Sequence, residues 1–225
     1  MHDTFTHDSN LRHHLAVGVV LLAAGSAARI GHRPKCLLEL DGVPLIERQL
    51  RALAGCNVNE IVVVLGHYAE PIEAIVKRFP VALVHNPTPD AGQNSSLHCG
   101  LSALSRQLDA VMVVLADQPL LDAQDIGDLI GAYNQRPKMT QAVVPTVNDL
   151  PGNPVMFSAE VRDAILAHDT VWGCKQWQIA NPERVYRWET PNLHYRTDID
   201  TLEDIEMLAA RTGLRLNWPS PHLPS

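Results

Sequence analysis

Two groups of side chains in this chain could do chemistry together: a basic, glycine-containing loop near the start, and aspartates that directly follow apolar runs. Residues 17–35 read VGVVLLAAGSAARIGHRPK. The apolar run over 17–22 breaks at Ala23-Ala24-Gly25, and Arg29, Gly31 and Lys35 follow. Glycine lets backbone N–H groups come close to a phosphate, and an arginine and a lysine supply the countercharge. The spacing is that of neither common phosphate loop, since no Lys-Ser/Thr follows the second glycine and there is no G-x-G-x-x-G. Taken alone, the stretch is explained equally well as a strand-to-helix turn with two solvated cations.

Asp117 ends the run VMVVLA and precedes Gln118-Pro119. A carboxylate at the end of a buried strand suits a hard cation such as Mg²⁺, which takes one or two carboxylates together with phosphate oxygens. Its alternative role is a turn cap. Asp198 and Asp200 lie two apart before a helix signal. On an extended segment they point to opposite faces, so only one is expected to enter a given crevice, and Asp200 doubles as a candidate N-cap. The stretch from Gly92 through Ser95 and Ser96 enters a helix, with N–H groups and hydroxyls suited to a base, a ribose, a phosphate or a plain cap. Gly152-Asn153-Pro154 is a turn that either reverses the chain or lets a second substrate approach the backbone. His67, His85, His98 and His168 have no metal-ligand spacing.

The elements that must position these groups alternate. Strands are expected over 15–22, 61–65, 81–84, 111–115 and 142–145, with helices at 44–54, 69–79, 95–106 and 122–134 between them. Such alternation predicts an α/β fold, a Rossmann-like, doubly wound, mostly parallel sheet with helices on both faces. Ligands bind such sheets beyond the carboxyl ends of the strands, so the Gly25 loop and Asp117 are expected to share a crevice. Further on, 153–157, 185–188 and 196–199 read as extended, 159–167 and 201–210 as helices, and 172–179 resists assignment. The boundaries expected are a flexible tail over 1–14, one domain over 15–212 (in two parts, 15–145 and 146–212) and a loose tail over 213–225.

The chain has 225 residues and a net charge of −7, against general nucleic-acid binding. The four cysteines are scattered, which fits a reducing cytoplasm better than a disulfide framework. No apolar run is long enough for a membrane span, and residues 1–14 lack the apolar core of a secretory signal.

Together these pieces resemble the nucleotidyltransferases of molybdenum cofactor maturation, especially the cytidylyltransferase branch. Leu22-Ala23-Ala24-Gly25 with Arg29, Gly31 and Lys35 follows L-A-A-G-x-S-x-R-M-G-x-x-K, with Ala27 and Ile30 in place of its serine and methionine. Gly92 to Leu101 matches G-x-x-S-S-L-x-x-G-L, Ala116 to Pro119 matches A-D-Q-P, and Asp198 to Ile205 follows D-I-D-T-P-E-D-L with Leu202 for proline and Ile205 for the final leucine. The family's G-H-P becomes Gly152-Asn153-Pro154, and its G-D-x-G-A-R is only loosely echoed over 169–175. The resemblance implies Mg²⁺-dependent transfer of CMP from CTP to the phosphate of Mo-molybdopterin, with pyrophosphate released. It implies catalytic roles for Arg29, Lys35 and Asp117, and metal binding by Asp117 and Asp200. The nucleotide-binding set it implies is Ala23, Ala24, Gly25, Arg29, Lys35, Gly66, Ser95 and Ser96, and the acceptor set is Gly152, Asn153 and Pro154. Ala24, where the guanylyl branch has glycine, points to CTP. Rival readings are GTP or another NTP with molybdopterin, a sugar or alcohol phosphate as acceptor, or a silent cofactor-binding chaperone for a client molybdoenzyme.

Overall fold

Alternation along one strand sets the architecture. In Val17–Ala23 (β1), Val17, Val19, Leu21 and Ala23 enter one core and Val20 and Leu22 another. A strand apolar on both faces is stable only inside a sheet covered on both sides. The structure, a computed structural model, describes residues 15–26, 30–169 and 171–219. After β1 come Glu39–Leu40 (β2), Val43–Pro44 (β3), Leu45–Ala54 (α1), Glu60–Leu65 (β4), Ala69–Val76 (α2), Ala82–His85 (β5), Gln93–Ala103 (α3) and Ala110–Leu115 (β6). Then follow Ala123–Asn134 (α4), Ala142–Val147 (β7), Leu150–Pro151 (β8), Val155–Ser158 (β9), Ala159–Leu166 (α5), Cys174–Ala180 (α6), Val185–Glu189 (β10), Leu202–Thr212 (α7) and Leu216–Asn217 (β11).

The main sheet runs β10-β7-β9-β6-β1-β4-β5, with β8 added to β7. β6, β1, β4 and β5 are parallel, as are β7 and β10, while β9 lies antiparallel between β6 and β7. Ile46 and Leu50 of α1, Ile72 of α2 and Ile126 and Leu129 of α4 cover one face. Leu97 and Leu101 of α3, Ile165 of α5 and Trp177 of α6 cover the other. This is the doubly wound α/β arrangement expected, mostly parallel.

Four expectations are corrected. Residues 174–180, unassigned from sequence, form α6. The stretch 196–199 is not extended, because a 3-10 helix occupies Leu193–Arg196 and irregular backbone follows. Pro44 precedes α1 and pairs with Glu39 in the β2–β3 hairpin, whose Asp41-Gly42 turn has φ of 54° and 75°, the two left-handed residues that such a tight hairpin needs. The tail over 213–225 is not loose throughout: Leu216 pairs with Leu40, and Arg33 lies 3.9 Å over the Trp218 ring. Residues 1–14 lie outside the described residues. No helix among the described residues is long and apolar enough to cross a membrane.

α3 sits tightly on the sheet because it carries Gly100. A Cβ there would lie 2.4 Å from Val20 Cγ1 and 2.8 Å from Val64 Cγ2. Gly100→Val is therefore expected to destabilise the fold by about 1–3 kcal/mol through overpacking. Gly127→Ala, in α4 with nothing within 4 Å of the new methyl, is expected to add about 0.5–1 kcal/mol. Chemical denaturation midpoints check both signs.

Candidate active site

Register brings the loops together. Leu22 pairs with Val64 on one side and Leu115 on the other, so the chain leaves β1, β4 and β6 at one level of the sheet. A cleft of about 540 Å³ opens there. Its wall includes Ala23, Ala24, Gly25, Ser26, Lys35, Ser96, Asp117, Asn153, Asp198 and Asp200. The Tyr68 hydroxyl donates to Ser26 O (3.0 Å) and ties the loop down. Lys35 opens a short 3-10 turn after Pro34, anchored by buried Cys36.

Lys35 Nζ lies 2.8 Å from Asp117 Oδ2 and 2.6 Å from Asp200 Oδ1. Three segments distant in sequence thus meet at one ammonium. Ile199 N donates to Asp117 O (3.1 Å) and holds residues 198–200 against the end of β6. Asp200 does not cap α7. Thr201 does, in a capping box with Asp204, which leaves the Asp200 carboxylate free for the cleft. Asp198 and Asp200 both line the cleft, against the expectation that only one would. The alternation rule belongs to regular strands, and 197–200 is irregular.

Burial alone would lower the Lys35 pKa, but Asp117 and Asp200 outweigh it and hold the ammonium above its ordinary value. Asp198 is raised by partial desolvation, then by Asp117 and Asp200. Among the described residues three carboxylates share one cation, so that cluster is short of positive charge. Asp117 Oδ1 is buried without a hydrogen-bond partner among the described residues. An unsatisfied buried carboxylate oxygen beside two further carboxylates is the donor set of a hard divalent cation, and the residues fit one. A second acidic group, Asp122, Asp125 and His194, differs. The Asp125 carboxylate accepts from Asn192 Nδ2 (2.6 Å), His194 Nδ1 (2.8 Å) and Asp122 N (3.0 Å), so it already fastens the 192–195 segment to α4. Burial, with Asp117 beside it, pushes the Cys36 thiol up to about 12, so it is no nucleophile.

Arg29, expected on the phosphates, lies outside the described residues. Gly66 does not line the cleft. It backs onto the loop, where a Cβ would lie 2.6 Å from Ala24 O. Ser95 is turned away: its hydroxyl donates to Gly92 O (2.8 Å) and accepts from Asn86 Nδ2 (2.8 Å), pinning the loop before α3. Ser96, one residue on, lines the cleft. A second cavity of about 300 Å³ continues past Asn153, walled by Gly152, Leu97, Val144, Lys175 and Gln178. Pro154 is buried behind it.

Sequence reasoning missed Gln118. Its Nε2 donates to Asn153 O (3.0 Å) and its own carbonyl accepts from Gln49 Nε2 (2.6 Å). That link joins the Asn153 loop to the segment after β6 that carries Asp117. Its signals in the sequence were a polar residue after an apolar strand and its place in the A-D-Q-P match, neither of which gave it this role.

The GlmU bifunctional protein of Mycobacterium ulcerans (strain Agy99) is 33% identical over 162 residues, 65% of this chain and 33% of that protein. The chain thus spans about a third of the length of the GlmU relatives it matches. Nicotine blue oxidoreductase of Paenarthrobacter nicotinovorans is 31% identical over 151 residues, 65% of this chain and 72% of that protein. A solved nucleotidyl transferase from Methanothermobacter thermautotroptrophicus (Mth528) has a TM-score of 0.71 at 22% identity, over 87% of this chain and 97% of the other, a likeness of fold. Residues 19–184 match the model of the MobA-like NTP transferase domain. This match starts inside β1 and takes in β4, β6 and β9, the strands around the cleft, and the chain belongs to the MobA-like NTP transferase domain family.

Proposed function

We propose that the protein is a Mg²⁺-dependent nucleotidyltransferase that moves CMP from CTP to the phosphate of Mo-molybdopterin and releases pyrophosphate. One observation carries the reading: the Lys35 ammonium lies between Asp117 and Asp200 at the open ends of the strands, beside the backbone of residues 24–26. In-line attack by an acceptor phosphate on the α-phosphorus needs positioning and charge neutralisation more than a side-chain nucleophile. Lys35 and Arg29 would neutralise the leaving pyrophosphate, and N–H groups around Gly25 would cradle it. Ser96 would touch the ribose or base. Asp117 and Asp200 would hold the metal, with Asp198 adding negative charge, and the metal would neutralise charge on the phosphate oxygens.

The nucleotide assignment rests on Ala24. It lines the cleft where the guanylyl branch carries glycine, and the double-alanine pattern is that of the cytidylyl branch. The acceptor assignment rests on the second cavity, which Asn153 shares with the cleft. A client molybdoenzyme or its chaperone would receive the product. The likeness to nicotine blue oxidoreductase favours a second reading, redox chemistry on an organic substrate in the same cleft.

Incubation with Mo-molybdopterin, Mg²⁺ and each NTP separately, followed by product mass, is expected to give the cytidine dinucleotide and pyrophosphate with CTP. No pyrophosphate with any NTP would sink the transferase reading. Asp117→Ala is expected to fold with an unchanged far-UV spectrum and to lose at least about 2 orders of magnitude in turnover. Near-normal turnover removes Asp117 from the mechanism.

A further inference from the structure

The stretch where the chain departs from the family pattern hangs from α3. Asn94 and His98 lie one turn apart on that helix and face the same way. Asn94 Nδ2 donates to Val171 O (2.7 Å), and His98 Nε2 lies 2.7 Å from Trp172 O. A carbonyl only accepts, so the His98 ring carries its proton on Nε2. Asn94 Nδ2 also reaches Gln176 Oε1 (3.4 Å), which accepts from Gly173 N (3.1 Å) at the start of α6. The Trp172 ring stacks on His168 with centroids 4.0 Å apart. α6 supplies Lys175 and Gln178 to the second cavity, while Gln93 and Ser96 of α3 line the cleft. His98 itself is buried and lines neither.

We propose that His98 is a positioning residue for the acceptor: through Trp172 O it fixes the start of α6, and with it the distance from Lys175 and Gln178 to the nucleotide cleft. α3 thus acts as the spacer between two substrate sites: Ser96 faces the nucleotide cleft, Gln93 borders both cavities, Asn94 and Leu97 line the second, and His98 holds the α6 wall of the acceptor side. The inference rests on the transferase reading for what the second cavity holds. The tie between His98 and α6 does not depend on it.

The test compares wild type, His98→Leu, which removes the donor, and His98→Gln, which returns an amide N–H near the place of Nε2. Removing one buried hydrogen bond should raise the KM for Mo-molybdopterin at least about fivefold in His98→Leu. The KM for CTP should stay within about twofold, because the N-terminal turn of α3 is untouched. His98→Gln should recover the acceptor KM. Amide hydrogen exchange over residues 171–180 gives a readout independent of turnover, faster in His98→Leu and restored in His98→Gln. An unchanged acceptor KM in His98→Leu overturns the inference, as does an equal rise in the KM for CTP. Failure of His98→Gln to rescue also overturns it, since packing alone would then explain the loss. A wild type that transfers no nucleotide defeats the transferase reading only. The exchange pattern then decides the inference, and unchanged exchange in His98→Leu overturns it.

Discussion

Among the described residues, three carboxylates and one ammonium share the cleft, and that imbalance constrains everything around it. Asp117 follows β6, Asp198 and Asp200 precede α7, and Lys35 follows the loop after β1. Bringing like charges this close is unfavourable unless a cation sits among them. Lys35 meets two of the three at ion-pair distance and is only 17% exposed. Asp200 is about half exposed, so solvent screens its share of the pairing. The deeper contact with Asp117 is screened less. The residual negative charge and the unpartnered Asp117 Oδ1 make the cleft a place for further cations and for the anions those cations accompany.

The sheet makes that concentration of charge affordable by fixing it rigidly. Parallel pairing of β1 with β4 and β6 sets three loops at one height, and the backbone bond from Ile199 to Asp117 O adds a fourth segment. Behind the front row, buried amides extend the frame. Gln118 ties the Asn153 loop to the strand end, and Asp125 ties the 192–195 segment to α4. Each bond is worth roughly 1 kcal/mol net, yet together they leave the loops few alternative positions.

The acceptor side is built differently. The second cavity is lined largely by apolar side chains such as Leu97, Val113, Val144 and Val155, with Lys175, Gln178 and Asn94 at intervals. Its far wall, α6, is anchored by buried Trp177 and hung from α3 through Asn94 and His98. On the proposed reading, the first cleft, mostly backbone and charge, would take the triphosphate, and selectivity between acceptors would belong to the α6 wall, where shape and a few polar groups discriminate.

The sequence by itself determined the sheet and the ingredients of the cleft. Apolar runs bounded by turns fixed β1, β4, β6 and β7, and residues that directly follow such strands, Gly25 and Asp117, had to emerge at one edge. Tertiary structure decided the rest. Whether Asp198 and Asp200 face one way or two depended on irregular backbone that no alternation rule describes. Thr201 took the cap of α7 and released Asp200. Gly66 and Ser95 were expected to touch the nucleotide, but they support the loops from behind: Gly66 packs against Ala24, and the Ser95 hydroxyl donates to Gly92 O. α6 was illegible because only Trp177 of its seven residues is buried, too few to make a periodic face. Gln118 and His98 were invisible because their meaning lies in carbonyls 35 and 74 residues away, and a local pattern records only what neighbours in the chain can do to one another.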